Sequence, residues 1–368
     1  MATAHPTTPY QPSMNLLVSG YYGFGNAGDE WILEAFLQTL SPTSHTLTVL
    51  SVDPVVTHAR HCVAAVDRWN PIALARALRD CDVFLSGGGG LIQDLSGPWS
   101  PAYYLALIAW ARLWGKRVYL AGQGFGPLRR NLNRWLCRRV LPGAEKVMPR
   151  DAPGVTWCRE NGVAAERLTL GADWVWSLPV MRPHPGRDWA VCLRSDGLAA
   201  GQPGWFADFL RLARAQRRRV RFLVLGNGGD RECLRALPGK AVAEKDIIDL
   251  REASWAQAVA ALKGVGWVLS MRYHGLILGA SAGAAVAGWG DDPKLTHLLQ
   301  ELQAPNLGDL KKAKALATML ACGAALRRAQ GARVRQLRQR ARKMAEALKR
   351  HLGCGDGFFE KKPRGKRP

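Results

Sequence analysis

The sequence predicts an α/β fold of two lobes, each built on a doubly wound parallel sheet, with the functional site in the cleft between them. Three observations carry this. Short apolar, β-prone runs repeatedly give way to glycine-rich turns and then to apolar helices. That rhythm breaks over Trp176 to Asp188, where Pro179, Pro183, Pro185 and Gly186 interrupt all periodicity, and restarts beyond it. The 368 residues, 48% of them hydrophobic, suffice for two cores of ordinary size. The expected division is a disordered leader over 1–13, a first lobe over 14–178, a linker over 179–188 and a second lobe over 189–323. A basic helix over 324–353 and a disordered basic tail over 354–368 follow.

In order, the first strand is expected over Met14 to Ser19. It runs into Gly20-Tyr-Tyr-Gly-Phe-Gly-Asn-Ala-Gly-Asp-Glu30 and an apolar helix from Trp31 to Leu40. Leu47 to Val52 reads as the next strand. Cys81 to Ser86 reads as another, entering a loop of four glycines, Gly87 to Gly90, whose backbone leaves space for a phosphate or a sugar ring. Ala102 to Trp114 is a helix, and Val118 to Pro127 repeats the strand and glycine-loop unit. Each glycine loop is equally explained by tight-turn chemistry alone. Val147 to Asp151 is a short strand that leaves Arg150 at its carboxyl end, or else carries a plain surface pair of Arg150 with Asp151. Past the break, strands at Trp189–Arg194, Arg219–Leu225 and Asp246–Leu250 alternate with helices at Trp205–Gln216, Asp230–Leu237 and Ser254–Leu262. A strand ending at Ser270, a helix from Leu276, a strand at Ala285 and a helix over Leu295–Leu302 complete the second lobe. Leu326 to Leu352 is a long basic helix, either a solvated closing helix or an interfacial one resting on anionic lipid.

Composition narrows the function. The formal charge is +22, from 51 basic against 29 acidic residues, which suits nucleic acid, an anionic membrane or phosphorylated substrates, and is also produced by arginine-rich codon usage. No zinc-finger spacing or aromatic RNA-binding motif accompanies the charge, so no nucleic-acid partner is expected. No apolar run approaches the ~18 residues of a membrane span. Met1 to Ser13 lacks a basic start followed by an apolar core, so a cytoplasmic location is expected. The eight cysteines are scattered without a C-x-x-C pair, so neither a zinc site nor a disulfide scaffold is expected.

The chemistry concentrates in Val265 to Ala282. Arg272 and His274 fall where a strand ends and a helix begins, the place where open α/β sheets bind ligands. Arg272 offers a planar fork for a carboxylate or phosphate, and His274 moves protons near neutral pH. A single His beside a glycine is also a common structural residue. Gly23, Gly25 and Gly28 spell G-x-G-x-x-G, with Asp53 placed as a ribose-binding acid, which points to a nicotinamide dinucleotide. Against that, Asp29 and Glu30 would repel a pyrophosphate. They read better as acceptors for sugar hydroxyls, or as charges complementing a helix N-terminus.

Six stretches in order, Ser19–Glu30, Leu85–Asp94, Gln123–Pro127, Arg150–Asp151, Met271–Ala280 and Asp292–Lys294, resemble the polysaccharide pyruvyl transferase family, most closely its CsaB-type cell-wall branch. The resemblance covers roughly residues 15 to 305. The chain departs from it at Tyr273, where leucine is usual, and at Ala152-Pro-Gly154. The resemblance implies Rossmann-like lobes arranged as in GT-B glycosyltransferases, and transfer of pyruvate from phosphoenolpyruvate to a sugar as a ketal, with release of phosphate. It implies an acceptor of β-linked N-acetylmannosamine in a lipid-linked wall-glycan precursor, whose pyruvylated polymer anchors S-layer proteins through SLH domains.

On that chemistry Arg150 and Arg272 hold the donor's two anionic groups, with Tyr273, Gly88 and Gly89 beside them, and His274 protonates its methylene carbon. Asn26, Asp29, Gln93 and Gln123 would orient the sugar, Asp29 serving also as base. No metal or other cofactor is called for, phosphoenolpyruvate being a co-substrate. The expected partners are the donor, the lipid-linked glycan and an anionic membrane surface met through residues 327–350, with the enzyme peripheral at the inner face of the cell membrane. The competing functions are a nucleotide-sugar glycosyltransferase, an NAD-dependent oxidoreductase and a non-enzymatic binder of anionic polymers.

Overall fold

In a computed structural model of the chain, residues 13–353 are described, apart from 42–44, 95–96, 98, 181–184, 195–203, 228, 236, 238–241 and 310–312. Positions 1–12 of the expected leader, the middle of the expected linker and the expected tail lie outside the described residues. The first sheet is formed from β1 (Asn15–Ser19), β2 (Thr46–Ser51), β3 (Ala64–Asp67), β4 (Val83–Ile92), β5 (Arg117–Phe125) and β6 (Lys146–Pro149). Its helices are α1 (Ala27–Leu40), α2 (Pro54–His61), α3 (Pro71–Asp80), α4 (Ser100–Leu113), α5 (Asn131–Val140) and α6 (Ala152–Glu160). The second sheet takes β7 (Asp188–Cys192), β8 (Val220–Val224), β9 (Ile247–Asp249), β10 (Val265–Ser270) and β11 (Ala285–Gly288). It carries α7 (Gly204–Ala215), α8 (Asp230–Arg235), α9 (Trp255–Ala261), α10 (Tyr273–Ser281), α11 (Pro293–Leu302), α12 (Ala313–Ala321) and α13 (Gly323–His351).

The strand orders are β3-β2-β1-β4-β5-β6 and β11-β10-β7-β8-β9, and the described pairings are all parallel. Each sheet therefore reverses its winding once, between β1 and β4 and between β7 and β10. Crevices open at the carboxyl ends of strands at such reversals, and here the two face each other. The two-lobed α/β architecture expected from the sequence is the one observed.

Packing holds the lobes together. One continuous core runs from α1 residues Trp31, Ile32 and Phe36 through Trp174 and Trp176 to Trp255, Leu276 and Ile277 of the second lobe. Trp31 and Trp255 meet edge to face at 5.4 Å, worth about 0.5–1.5 kcal/mol beyond burial. Backbone crosses the seam too, where Ala27 N donates to Leu225 O at 2.8 Å.

Several elements differ from the sequence reading. β4 runs straight through Gly87 to Gly90, so these glycines are strand rather than loop: Gly87 and Gly89 pair with Ala121 and Gln123 of β5. α1 starts at Ala27, because the Asn26 side chain accepts from Gly28 N at 3.2 Å and caps it, which puts Asp29 and Glu30 in its first turn. α10 begins at Tyr273 rather than Leu276. α13 is not a solvated rod. Leu337, Ala341, Met344, Ala345 and Leu348 are buried, and the helix packs on β5 and Trp174–Ser177 as well as on β11, α10 and α11. Among the described residues no helix is long and apolar enough to cross a membrane.

Candidate active site

The facing reversals enclose a cavity of about 760 Å³, which a neighbouring cavity of about 890 Å³ adjoins through Gly90, Arg150, Arg194 and Lys294. From the first lobe, the N-terminal turn of α1 presents Asn26 and the buried Asp29. Gly89 lies across from them at φ +73, where an added Cβ would stand 2.9 Å from Asp29 Oδ1. Burial pushes the Asp29 carboxyl up to about 6, with Glu30 and Asp173 adding to the rise and His274 and Lys294 opposing it. A carboxylate so poised exchanges protons near neutral pH.

Arg150 follows β6 directly, its N–H bonded to Gln123 O at 3.0 Å. Its guanidinium lies 4.1 Å over the Tyr273 ring, with Nη1 3.4 Å from Asp173 Oδ2. Burial opposes that charge, but Tyr273, Asp173 and Asp151 outweigh it and keep the group cationic.

From the second lobe, β10 delivers Arg272 as the residue before α10 and His274 into that helix's first turn. The Ser270 hydroxyl pins the junction, accepting from Arg272 N at 3.0 Å and donating to Arg272 O at 2.8 Å. Arg272 does not present an unengaged fork to the cavity. Its Nε donates to Asp230 Oδ2 at 2.7 Å and its Nη2 to Asp230 Oδ1. Asp230, 1% exposed, also accepts from Leu225 N and Gly226 N, so the guanidinium is anchored at a set angle beside the opening.

His274 Nε2 stands 3.6 Å from Asp173 Oδ2, is buried, and has no hydrogen-bond partner among the described residues. Burial alone would push Asp173 up, yet His274 and Arg150 hold it below the usual carboxylate range. On the other side, the imidazole lies where a Cβ on Gly28 would strike its Nδ1 edge. A carboxylate behind an imidazole holds its orientation, so His274 is set in a fixed pose beside a cationic cavity.

Of the residues singled out from sequence, Arg150, Arg272, Tyr273, His274, Gly89, Asn26 and Asp29 line this one cavity. Three do not. Gln93 lines the adjoining cavity. Gly88 turns toward Ile32 of α1, at φ +64. Gln123 is wholly buried within β5, with its Oε1 accepting from Ser86 Oγ at 3.0 Å, and cannot touch an acceptor as placed here. Asp53 caps α2, its Oδ1 accepting from Val56 N at 3.0 Å, and it lines neither cavity. Sequence reasoning passed over Asp173, Asp230 and Arg194 and gave Lys294 no role. Only Lys294 had a signal, in the Asp292-Pro-Lys294 turn.

A family model described as polysaccharide pyruvyl transferase matches residues 26–288. No curated protein matches the chain. Among solved structures the chain is similar to a putative UDP-N-acetylglucosamine 2-epimerase from Listeria monocytogenes, with a TM-score of 0.62 at 11% identity over 94% of this chain and 98% of that one. It is also similar to S. aureus MnaA in a structure with UDP, with a TM-score of 0.62 at 10% identity over 93% and 98%. A third is Anabaena HepE in complex with UDP-glucose, with a TM-score of 0.56 at 9% identity over 92% and 100%. At these identities the likeness speaks for the two-lobed GT-B fold alone.

Proposed function

Because the chain belongs to the polysaccharide pyruvyl transferase family, we propose that it carries the pyruvyl group of phosphoenolpyruvate onto two hydroxyls of a glycan as a ketal, releasing phosphate. The observation that supports this most is the convergence of Arg150, Arg272 and His274 on one cavity whose wall also carries Arg194 and Lys294, with the buried Asp173 beside both Arg150 and His274. A donor with a carboxylate and a phosphate needs cations in that number, and its methylene carbon needs an acid.

In this reading the cationic wall and the N-terminal end of α10 hold the donor. His274, charged and braced by Asp173, gives its proton to the methylene carbon and leaves a cationic carbon at C2. A sugar hydroxyl adds there and its proton passes to Asp29. The second hydroxyl displaces phosphate and closes the ring. Of the two hydroxyl protons, one replaces the proton spent on carbon and the other leaves with phosphate. We place the acceptor, as in the CsaB-type branch, in a lipid-linked wall-glycan precursor carrying β-linked N-acetylmannosamine, whose pyruvylated product would anchor S-layer proteins. The enzyme would work at the inner face of the cell membrane without a resident cofactor.

Phosphate release from phosphoenolpyruvate, measured with a panel of aminosugar glycans, tests the reading, and no release with any of them would sink it. The second reading is nucleotide-sugar transfer, favoured by the UDP-bound neighbours. Release of UDP from UDP-sugars in place of phosphate would decide for it.

A further inference from the structure

α3, α4 and α5 lie side by side on one face of the first sheet, because the crossovers from β3 to β4, β4 to β5 and β5 to β6 all advance in the same direction. Each helix follows a parallel strand, so all three begin at the sheet's carboxyl edge, the edge that opens on the cleft. Large apolar side chains stand in solvent at these three starts: Trp69 and Ile72 at α3, Trp99 at α4, Leu132 and Trp135 at α5, each 54–73% exposed. Trp69 stacks obliquely on Tyr103 of α4 at 5.2 Å, joining the first two groups.

Exposed Arg129, Arg130 and Arg134 surround the start of α5, and Arg138 and Arg139 follow in its last turn, Arg139 lying back 5.7 Å over the Trp135 ring. The acids nearby, Asp67 and Asp94, are engaged with backbone amides: Asp67 accepts from Trp69 N at 2.9 Å, and Asp94 from Arg129 N and Arg130 N at 2.9 and 3.0 Å. The rim is therefore both apolar and cationic.

From this juxtaposition we infer that the rim formed by the starts of α3, α4 and α5 docks on an anionic phospholipid bilayer. Tryptophan belongs at the headgroup level and arginine beside acidic headgroups. The expected alternative, α13, carries exposed Arg328, Arg335 and Arg342 at seven-residue spacing, but its bulky apolar side chains face the core. A charged stripe without apolar anchors lacks what an interfacial helix inserts. The rim also touches the site: Ser100 and Tyr104 of α4 line the first cavity and Arg129 the second. Resting on the pyruvyl-transfer reading, this would bring a lipid-linked glycan to the mouth of the cleft.

Flotation of the full chain with phosphatidylcholine vesicles, with and without phosphatidylglycerol, tests the docking. The chain is expected to float with anionic vesicles only. Trp99→Ala with Leu132→Ala and Trp135→Ala is expected to cut the bound fraction about tenfold. Arg129→Glu with Arg130→Glu and Arg134→Glu should remove the preference for phosphatidylglycerol, whereas Arg328→Glu with Arg335→Glu and Arg342→Glu should change binding by less than about twofold. Equal flotation of the wild type and both rim variants overturns the inference, as does a loss confined to the α13 variant. A wild type that is dimeric while the rim variants are monomeric, with vesicle binding unchanged, overturns it in favour of self-association. Phosphate release with a water-soluble glycan reads the cleft separately. If the wild type shows none, the functional reading fails while flotation still decides the docking.

Discussion

The carboxylate of Asp173 sits 3.6 Å from Nε2 of His274, although the two residues belong to different lobes and 101 positions separate them. Asp173 is also tied to its own segment, where its Oδ1 accepts from Val175 N at 3.1 Å, and to Arg150 through Oδ2. It thus fixes the distance between the cation and the imidazole that the proposed reaction assigns to one small molecule. Asp173→Asn keeps the shape and removes the charge. The expected result is a kcat lower by about 10²-fold or more, with a smaller change in the donor KM. His274→Ala in the same background should then add little, because the two act as a unit. Fully additive losses would show that Asp173 acts elsewhere.

Asp29 predicts a pH dependence with a definite sign. Its carboxyl moves from 3.8 to about 6 on folding, so the folded chain binds this proton more tightly than the unfolded one. No stability is lost through it below about 3.8. The penalty for ionising it builds as the pH rises through that window and is complete above about 6, reaching on the order of 3 kcal/mol for about two units. If Asp29 is the base of the proposed reaction, turnover has the opposite dependence, since only the ionised form accepts a proton. Asp29→Asn is therefore expected to raise Tm at pH 8 while removing the activity and its acidic limb. An unchanged or lower Tm would show that the carboxylate is compensated by groups not accounted for.

The lobes and their glycine-marked strand ends were legible because apolar runs and turn residues repeat at short range. Arg272, Tyr273 and His274 were legible because they are contiguous at one strand end. Asp173 and Asp230 were not, since each acts through a partner 101 or 42 positions away, and the helix start that marks Asp230 says nothing of that partner. α2 and α3 went unread although Asp53-Pro54 and Asn70-Pro71 spell cap and first-turn signals, which the structure uses as such. Basic residues diluted the apolar stripe of α5, whose fully buried residues are Asn133, Cys137 and Val140, with Leu136 half-buried beside them. The glycine run misled for a physical reason: Gly87 to Gly90 have no side chains to pattern, so nothing local distinguishes a loop from a buried strand pressed against Phe36, Ile32 and Asp29 of α1.

Gly28 brings the lobes together at the imidazole. A methyl group there would overlap His274 Nδ1, and the helix start cannot retreat because Ala27 N is bonded to Leu225 O. Gly28→Ala is expected to destabilise by about 1–3 kcal/mol through overpacking and to lower kcat by displacing His274. Thermal unfolding and turnover should both report it. Full activity in a stable Gly28→Ala protein would mean that the imidazole adopts another position during catalysis.

Arg272 and Asp230 separate anion binding from simple ion pairing. If Asp230 serves to aim Arg272, loss of either should raise the donor KM, since both change the angle at which the guanidinium meets the cavity. Arg272→Lys keeps a positive charge but not the planar fork, and should weaken donor binding roughly 10- to 100-fold, as for one or two hydrogen bonds to a charged group. Asp230→Asn should weaken it in the same direction and also lower Tm, because Asp230 is buried and holds Leu225 N and Gly226 N besides the guanidinium. The acceptor KM should stay near its original value in both variants. If Asp230→Asn instead tightened donor binding, the carboxylate would be a competitor for Arg272 rather than its guide, and the resting pair would be one that the donor displaces.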